Sequence, residues 1–191
     1  NPATSTGTSG FAGEWTAGST STFYSYQPGN WTDPNTWTFD PSGTTGPGTT
    51  IPGYEDKVVI LSGRTVTLNV TTSTEKLEIT INGGGILNLA TRRFDNPLIA
   101  LRGSGTLRLA SSSFPSAATN TFVTTDGGTT EYNGATVSMS ATQSVYYHLR
   151  INSTGTVTLP ASITLNGNLT VAQGSFRIND GTARRLVVNI A

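Results

Sequence analysis

The chain has 191 residues, with 11 basic and 11 acidic side chains and a formal net charge of zero. Nucleic acids and anionic membranes attract basic surfaces, so this balanced composition argues against both as partners. No apolar run approaches the roughly 18 residues of a membrane-spanning helix, and membrane insertion is not expected. Only 12% of the residues are charged, and serine, threonine, glycine and asparagine fill the polar positions instead.

Residues 1–22 consist mainly of serine, threonine, glycine and alanine. So few apolar side chains cannot form a packed core on their own. We interpret this stretch as a linker, or as an irregular arm that lies over the fold that follows.

Residues 23–54 are rich in aromatic side chains and prolines. The aromatic residues are Phe23, Tyr24, Tyr26, Trp31, Trp37, Phe39 and Tyr54. In the interpretation we favour, these rings form an N-terminal cap within an irregular loop and plug the open end of a repetitive fold. In the alternative, Trp31, Trp37 and Tyr54 form a carbohydrate-binding platform, because exposed aromatic rings stack on the apolar faces of sugars.

Residues 55–191 contain a repeated unit in which a glycine precedes two apolar residues that are separated by one position. Its copies begin at Gly63, Gly85, Gly105, Gly128, Gly155 and Gly174, the copy at 128 being degraded. The steps between them are 22, 20, 23, 27 and 19 residues, near the length of one solenoid coil. Each apolar pair is typical of a short strand with one buried face. The pattern predicts an all-β fold, a right-handed parallel β-helix.

The alternative fold is a β-sandwich, whose strands also alternate between turn signals. A sandwich gives no reason for glycine to keep one register against the following strand, so the β-helix is favoured. Leu186, Val188 and Ile190 resemble the opening of one more coil, and we expect the β-helix to continue beyond the chain end.

Alignment of the six copies predicts which side chains stack on one another. One inward column is Val66, Leu87, Leu107, Thr130, Val157 and Phe176, and the other is Leu68, Leu89, Leu109, Tyr132, Leu159 and Ile178. The column between them is Thr67, Asn88, Arg108, Glu131, Thr158 and Arg177, which is polar as a solvated face requires. Arg108 and Glu131 are adjacent in it, so we expect an exposed ion pair.

Three long connections interrupt the repeat, at residues 91–97, 110–121 and 133–144. They could be functional insertions that project from one side of the stack. The simpler interpretation, which we favour, is that a solenoid tolerates variation in loop length.

The sequence offers little material for catalysis. His148 is the only histidine and there is no cysteine, so the usual transition-metal and histidine-based catalytic groups cannot be assembled within the chain. His148 is interpreted as a surface residue. The acidic residues are spread over different coils, whereas most glycoside hydrolysis needs two facing carboxylates. We therefore expect no enzymatic activity.

Calcium is the one metal that the sequence could accommodate, since it binds six to eight oxygen ligands. The candidate ligands are Asp33 with Asn35, and the adjacent pair Glu55 and Asp56. The favoured alternative is that Asp56 stabilises a turn by accepting hydrogen bonds from backbone N–H groups. No other cofactor is expected.

Two parts of the chain resemble known surface proteins. The first part is similar to the opening of the eight-glycine domain of cell-surface proteins. It consists of Trp31 to Trp37 and then residues 52–60, which contain Asp56, Val58 and Ile60. Residues 127–134, 145–159 and 166–176 resemble repeats of very large Bacteroidetes surface adhesins, including gliding-motility adhesins exported by type IX secretion. This resemblance implies a β-helical segment of a secreted or surface-anchored adhesin, at the outer surface of a Gram-negative cell.

The expected function is thus non-enzymatic: a stalk or ligand-presenting module in cell-surface adhesion or gliding. Its expected partners are flanking repeats of the same polypeptide and a surface polysaccharide or another extracellular polymer. A carbohydrate-binding module is the second hypothesis, and a fragment of a polysaccharide lyase or hydrolase is the third.

Overall fold

The computed structural model describes residues 20–72, 76–178 and 183–189, and almost all regular structure within them is short β-strand. The strands are β1 (Thr22–Ser25), β2 (Gly29–Asn30), β3 (Trp37–Thr38), β4 (Lys57–Ile60), β5 (Thr65–Thr67), β6 (Glu78–Ile81), β7 (Ile86–Ala90), β8 (Leu98–Arg102), β9 (Thr106–Leu109), β10 (Ala117–Asn120), β11 (Thr129–Tyr132), β12 (Val137–Ser138), β13 (Val145–Tyr146), β14 (His148–Thr158), β15 (Ile163–Leu165), β16 (Leu169–Arg177) and β17 (Leu186–Val188). A 3₁₀ helix spans Pro34–Thr36.

Most of the predicted linker or arm at residues 1–22 lies outside the described residues, as does Ile190. Thr22 belongs to β1 rather than to a linker.

The strands form a parallel β-helix of about six turns. The first sheet has the order β10-β8-β6-β4-β1-β3, and the second runs β12-β14-β11-β9-β7-β5-β2 with β16 also on β14. From β4 to β11 the chain alternates between these two sheets, so each turn adds one strand to each. A third sheet, β13-β15-β17, forms one face of the last turns. Apart from the antiparallel pair β1 and β3, the described pairings are parallel, which excludes a sandwich of antiparallel hairpins.

The predicted register of the first inward column is correct through the first four copies of the repeat. Leu87 pairs with Val66 on one side and with Leu107 on the other, and Leu107 pairs with Thr130. In the second column the prediction is wrong at β7, where a bulge pairs Leu109 with Ala90 rather than with Leu89. In β7 burial alternates along the strand, with Leu87 and Leu89 fully buried. Alternating side chains on stacked strands therefore build a continuous interior.

The register prediction is wrong for the fifth member of the column. Thr130 pairs with Leu149, whereas Val157 pairs with Val137 and Phe176. The reason is the length of β14, which spans 11 residues and contains both apolar pairs. Its first half stacks on β11 and its second half on the short strand β12.

The repeated glycines permit close stacking of adjacent turns. A Cβ atom at Gly105 would collide with the carbonyl oxygen of Asn82, and one at Gly85 would lie 2.8 Å from the carbonyl oxygen of Ile60. Any larger residue at these positions would push neighbouring coils apart. At these two positions the glycine signal reflects backbone proximity between turns. At Gly63, where no atom would lie within 4 Å of an added Cβ atom and φ is +72°, it reflects a left-handed backbone conformation instead.

The N-terminal cap is more regular than the expected loop. β1 pairs in parallel with β4, and β2 pairs in parallel with β5. The aromatic-rich segment therefore forms an abbreviated extra coil that continues both sheets. On the outer side of β1, the antiparallel strand β3 covers the edge.

Two of the predicted long connections contain strands. β10 lies within residues 110–121 and stacks on β8, and β12 lies within residues 133–144. Between β10 and β11 the chain also turns inward, because Phe122 is fully buried.

Two tyrosine hydroxyl groups are buried together in the core. The hydroxyl groups of Tyr132 and Tyr146 are 3.1 Å apart, and the Ser140 N–H donates to the Tyr132 hydroxyl over 3.4 Å. Burial raises the pKa of both phenols, because the phenolate would lose its hydration. The mutual hydrogen bond offsets the cost of placing two hydroxyl groups in the interior.

Candidate functional site

Trp31 and Trp37, the centre of the predicted sugar platform, are packed inside the cap. Trp31 is 2% exposed and Trp37 is fully buried, with ring centroids 5.1 Å apart in an edge-to-face arrangement. The Trp37 indole N–H donates to the Trp31 carbonyl over 2.9 Å. Phe23 and Phe94 contact the same cluster edge-on. Neither indole presents a face on which a sugar could stack.

Tyr54 has a different environment from the tryptophans. It is 56% exposed, and the Lys76 ammonium lies 5.4 Å from its ring centroid. The same ammonium is 3.4 Å from the Glu55 carboxylate. Interaction with Tyr54, and then with Glu55, raises the pKa of Lys76. Tyr54 therefore belongs to a small polar cluster and takes part in none of the described ring contacts of Trp31 and Trp37.

The first predicted calcium pair caps the 3₁₀ helix. Asp33 precedes this helix, and its Oδ1 accepts hydrogen bonds from the Asn35 backbone N–H at 3.0 Å and side-chain amide at 2.9 Å. An aspartate at this position satisfies N–H groups that the helix leaves unpaired. Asn35 directs a donor toward the carboxylate, whereas calcium would need both groups to direct oxygens at a common point.

The two residues of the second predicted calcium pair, Glu55 and Asp56, have different partners. Asp56, 9% exposed, accepts from the Ser21 N–H at 2.8 Å and from the Gly53 N–H at 2.7 Å. It thereby ties the start of the cap to the turn before β4. Glu55, with a positive φ of 61°, pairs with Lys76. Among the described residues, no group of three or more His, Asp or Glu side chains is placed to hold a metal ion.

A carboxylate that was not singled out in the sequence organises the loop after β3. Asp40 accepts hydrogen bonds from the backbone and hydroxyl groups of Ser42, Thr44 and Thr45. These donors, led by the Ser42 hydroxyl, lower the pKa of Asp40. The spacing of aspartate, serine and threonine around Gly43 is the signal that could have identified this turn.

The outward column carries a charged triad, Arg108, Glu131 and Arg150. Glu131 pairs in register with Arg108 on β9 and with Arg150 on β14. Its carboxylate lies 2.8 Å from Arg108 Nε and 3.4 Å from Arg150 Nε, and it accepts from the Asn152 amide at 3.3 Å. Glu131 is only 4% exposed, so the expectation of a solvated position is wrong. The long arginine side chains on both neighbouring strands cover it.

His148 lies at the corner between β13 and β14. Its Nδ1 accepts the Asn168 backbone N–H at 3.0 Å, and its ring lies 4.3 Å from the ring of Tyr147. The histidine is half-buried rather than fully at the surface. The hydrogen bond between His148 and Asn168 connects two successive turns, so His148 has a structural role.

The chain was compared with protein-family models, curated proteins and solved structures, and none matches it. In the described residues no helix has the length and apolar character of a membrane span.

Proposed function

We propose that this chain is a non-enzymatic β-helical segment of a large bacterial surface adhesin, acting as a stalk or as a module that presents a ligand. The observation that supports this most directly is the parallel ladder of the second sheet, in which six consecutive strands, β5, β7, β9, β11, β14 and β16, pair in sequence. Each turn contacts only its neighbours, so such a stack acts as an elongated spacer.

Burial of the aromatic cap also favours a scaffold over the alternative carbohydrate-binding module built on the tryptophans. Trp31 and Trp37 stabilise the end of the stack from within. Two of the acidic side chains that a polysaccharide lyase or hydrolase could use are engaged in other interactions. Asp56 binds backbone N–H groups and Glu131 binds two arginines.

Export by type IX secretion, a role in gliding and a place on the Gram-negative outer surface complete the proposal. They rest on the resemblance of residues 127–134, 145–159 and 166–176 to adhesin repeats. The threonine-rich composition, with few charged residues and a net charge of zero, is compatible with an extracellular scaffold.

Surface labelling tests this proposal. Antibodies raised against the chain should label intact cells that produce the parent protein, and brief protease treatment of intact cells should remove the signal. An antibody against a cytoplasmic protein serves as the permeability control. If the chain becomes accessible only after lysis, the adhesin proposal is wrong. Release of soluble oligosaccharides from polysaccharides by the purified chain would favour the enzyme hypothesis instead.

A further inference from the structure

The parallel stack is interrupted at one place in the described residues, between β10 and β13. In the second sheet the corresponding strands β11 and β14 are paired over four residues. On the neighbouring face the first sheet ends at β10, and the third sheet begins at β13 without pairing to it. A groove of about 370 Å³ lies at this break. Its volume falls within the roughly 300–1,000 Å³ of small-molecule sites.

The groove is lined by uncharged side chains only. Two of the connections singled out in the sequence, 110–121 and 133–144, contribute most of its wall. The lining residues are Phe114, Pro115, Ser116, Ala117, Asn120, Val123, Thr142, Gln143, Ser144 and Val145. About half of these side chains carry a hydroxyl or carboxamide group and the rest are apolar.

The polar wall contains an acceptor that has no partner. Asn120 Oδ1 is buried and accepts no hydrogen bond within the protein. Leaving a buried acceptor unpaired is unfavourable, so such atoms are rare in folded proteins. Because this oxygen has almost no solvent-accessible surface, the Asn120 side chain must turn toward the groove before a ligand hydroxyl group can supply the missing donor.

The open edge of β13 is blocked against strand addition. The carbonyl groups of Ser144 and Tyr146 accept from β15, so the intervening carbonyl of Val145 is directed toward the β10 side. There the Gln143 side-chain amide donates to it. An extended peptide that paired with β13 would first have to displace this amide, which disfavours a peptide as the occupant.

We propose that this groove binds a neutral oligosaccharide. A sugar ring combines apolar C–H faces with a rim of hydroxyl groups, and it needs an apolar surface beside uncharged donors and acceptors. Phe114 and Val145, both half-buried, provide the apolar surface. The Phe114 ring is held edge-on against Tyr146 with centroids 5.9 Å apart. The absence of charged side chains from the lining excludes a sulfated or uronic-acid chain as the preferred ligand.

This site is separate from the aromatic platform expected from the sequence, and it does not depend on the adhesin proposal. Surface labelling could succeed while the groove binds nothing. Conversely, the groove could bind sugar in a protein that is not an adhesin.

Ligand-observed NMR on the full chain provides the test. The probes are short neutral glucan, mannan and galactan fragments, a uronic-acid oligosaccharide of similar length, and an uncharged extended peptide. We expect at least one neutral fragment to bind and the acidic fragment and the peptide not to bind.

Asn120→Ala should weaken binding of the neutral fragment by roughly tenfold, the equivalent of one lost hydrogen bond. It should not lower the melting temperature, because Asn120 Oδ1 has no partner to lose. Asn133→Ala is the matched control, since Asn133 Oδ1 is also buried without a partner but lies outside the groove lining. It should leave binding unchanged.

Ser144→Trp gives a second variant that fills the groove from an exposed position, and it should abolish binding with the fold intact. The proposal is overturned if no neutral fragment binds. It is equally overturned if Asn120→Ala and Asn133→Ala weaken binding alike, if folded Ser144→Trp still binds, or if the peptide or acidic fragment binds in preference.

Discussion

Glu131 illustrates how a charged residue can be buried at a position that points away from the core. Its strand directs it outward, but the arginines at the same position on both adjacent strands close over it. The side chain of Glu131 is 5% exposed, that of Arg108 26% and that of Arg150 46%. Because water reaches the two arginines unequally, the two ion pairs should contribute unequally to stability.

Double-mutant cycles should resolve this difference. For Arg108→Ala with Glu131→Ala we expect a coupling of about 1–3 kcal/mol, as for a hydrogen bond to a charged group. For Arg150 with Glu131 we expect about 0.2–1 kcal/mol, typical of an exposed pair. Lys57 and Glu78, 4.0 Å apart with side chains 54% and 34% exposed, form the control pair. Equal couplings in urea unfolding would show that burial of Glu131 does not control the interaction.

The Tyr132 and Tyr146 pair predicts loss of stability in alkali. Both phenols have a raised pKa in the folded chain because of burial. Their contribution is complete below the unfolded-state pKa of about 10, and it is lost as the pH rises above that value, because only the unfolded chain can then release the protons. Phenolate absorbance should show that two of the six tyrosines ionise only on unfolding. Gradual ionisation of all six in the folded protein would contradict this.

At the scale of elements, the sequence predicts those strands whose inward positions are filled by large aliphatic side chains. The register from Val66 through Leu107 follows directly, because each residue is flanked by the same pattern. β10 could not be recognised, since its residues are Ala117-Ala-Thr-Asn120 and carry no apolar alternation. The sequence also gives no local signal for which half of β14 pairs with β11. The strand contains two apolar pairs, and either one fits the first inward column equally well.

The candidate sites were less predictable for a related reason. Composition identifies the aromatic segment, but whether Trp31 and Trp37 face inward also depends on contacts with β5 and Phe94, which are far along the chain. The groove next to Asn120 arises where two sheets fail to join. No local pattern reports such a break, although the unusual length of connections 110–121 and 133–144 marks its position.

Packing of Leu107 in β9 against the adjacent turns should contribute much of the stability of this part of the β-helix. Leu107 is fully buried between Leu87 and Thr130, so Leu107→Ala should lower the free energy of unfolding by about 2–5 kcal/mol. Val171 in β16 lies in the neighbouring column, in register with Leu109 through Tyr132 and Ile151, but it is 49% exposed. Val171→Ala should therefore change stability by less than about 1 kcal/mol. Denaturant unfolding of both variants tests the register, and similar losses would argue against it.

At the scale of the whole molecule, stability is a chain of nearest-neighbour contacts. A missing turn exposes the backbone edges of the next turn on two sheets at once. At the N-terminal end the abbreviated coil covers these edges, with β1 on β4 and β2 on β5. The cap thus protects against association in addition to closing the core.

Deletion of residues 1–54 should leave a chain that aggregates, because it uncovers the edges of β4 and β5. Light scattering and size-exclusion chromatography measure the association, and circular dichroism checks that the remaining turns keep their β-structure.

In the truncated chain, Val59→Lys places a charge on the outward face of the exposed edge and should reduce aggregation. Thr80→Lys adds the same charge one strand inward, since Thr80 pairs with Val59, and it should have a smaller effect. Equal rescue by the two lysines would indicate that net charge, and not the uncovered edge, controls association. A truncated chain that stays monomeric and folded would show that the cap is dispensable.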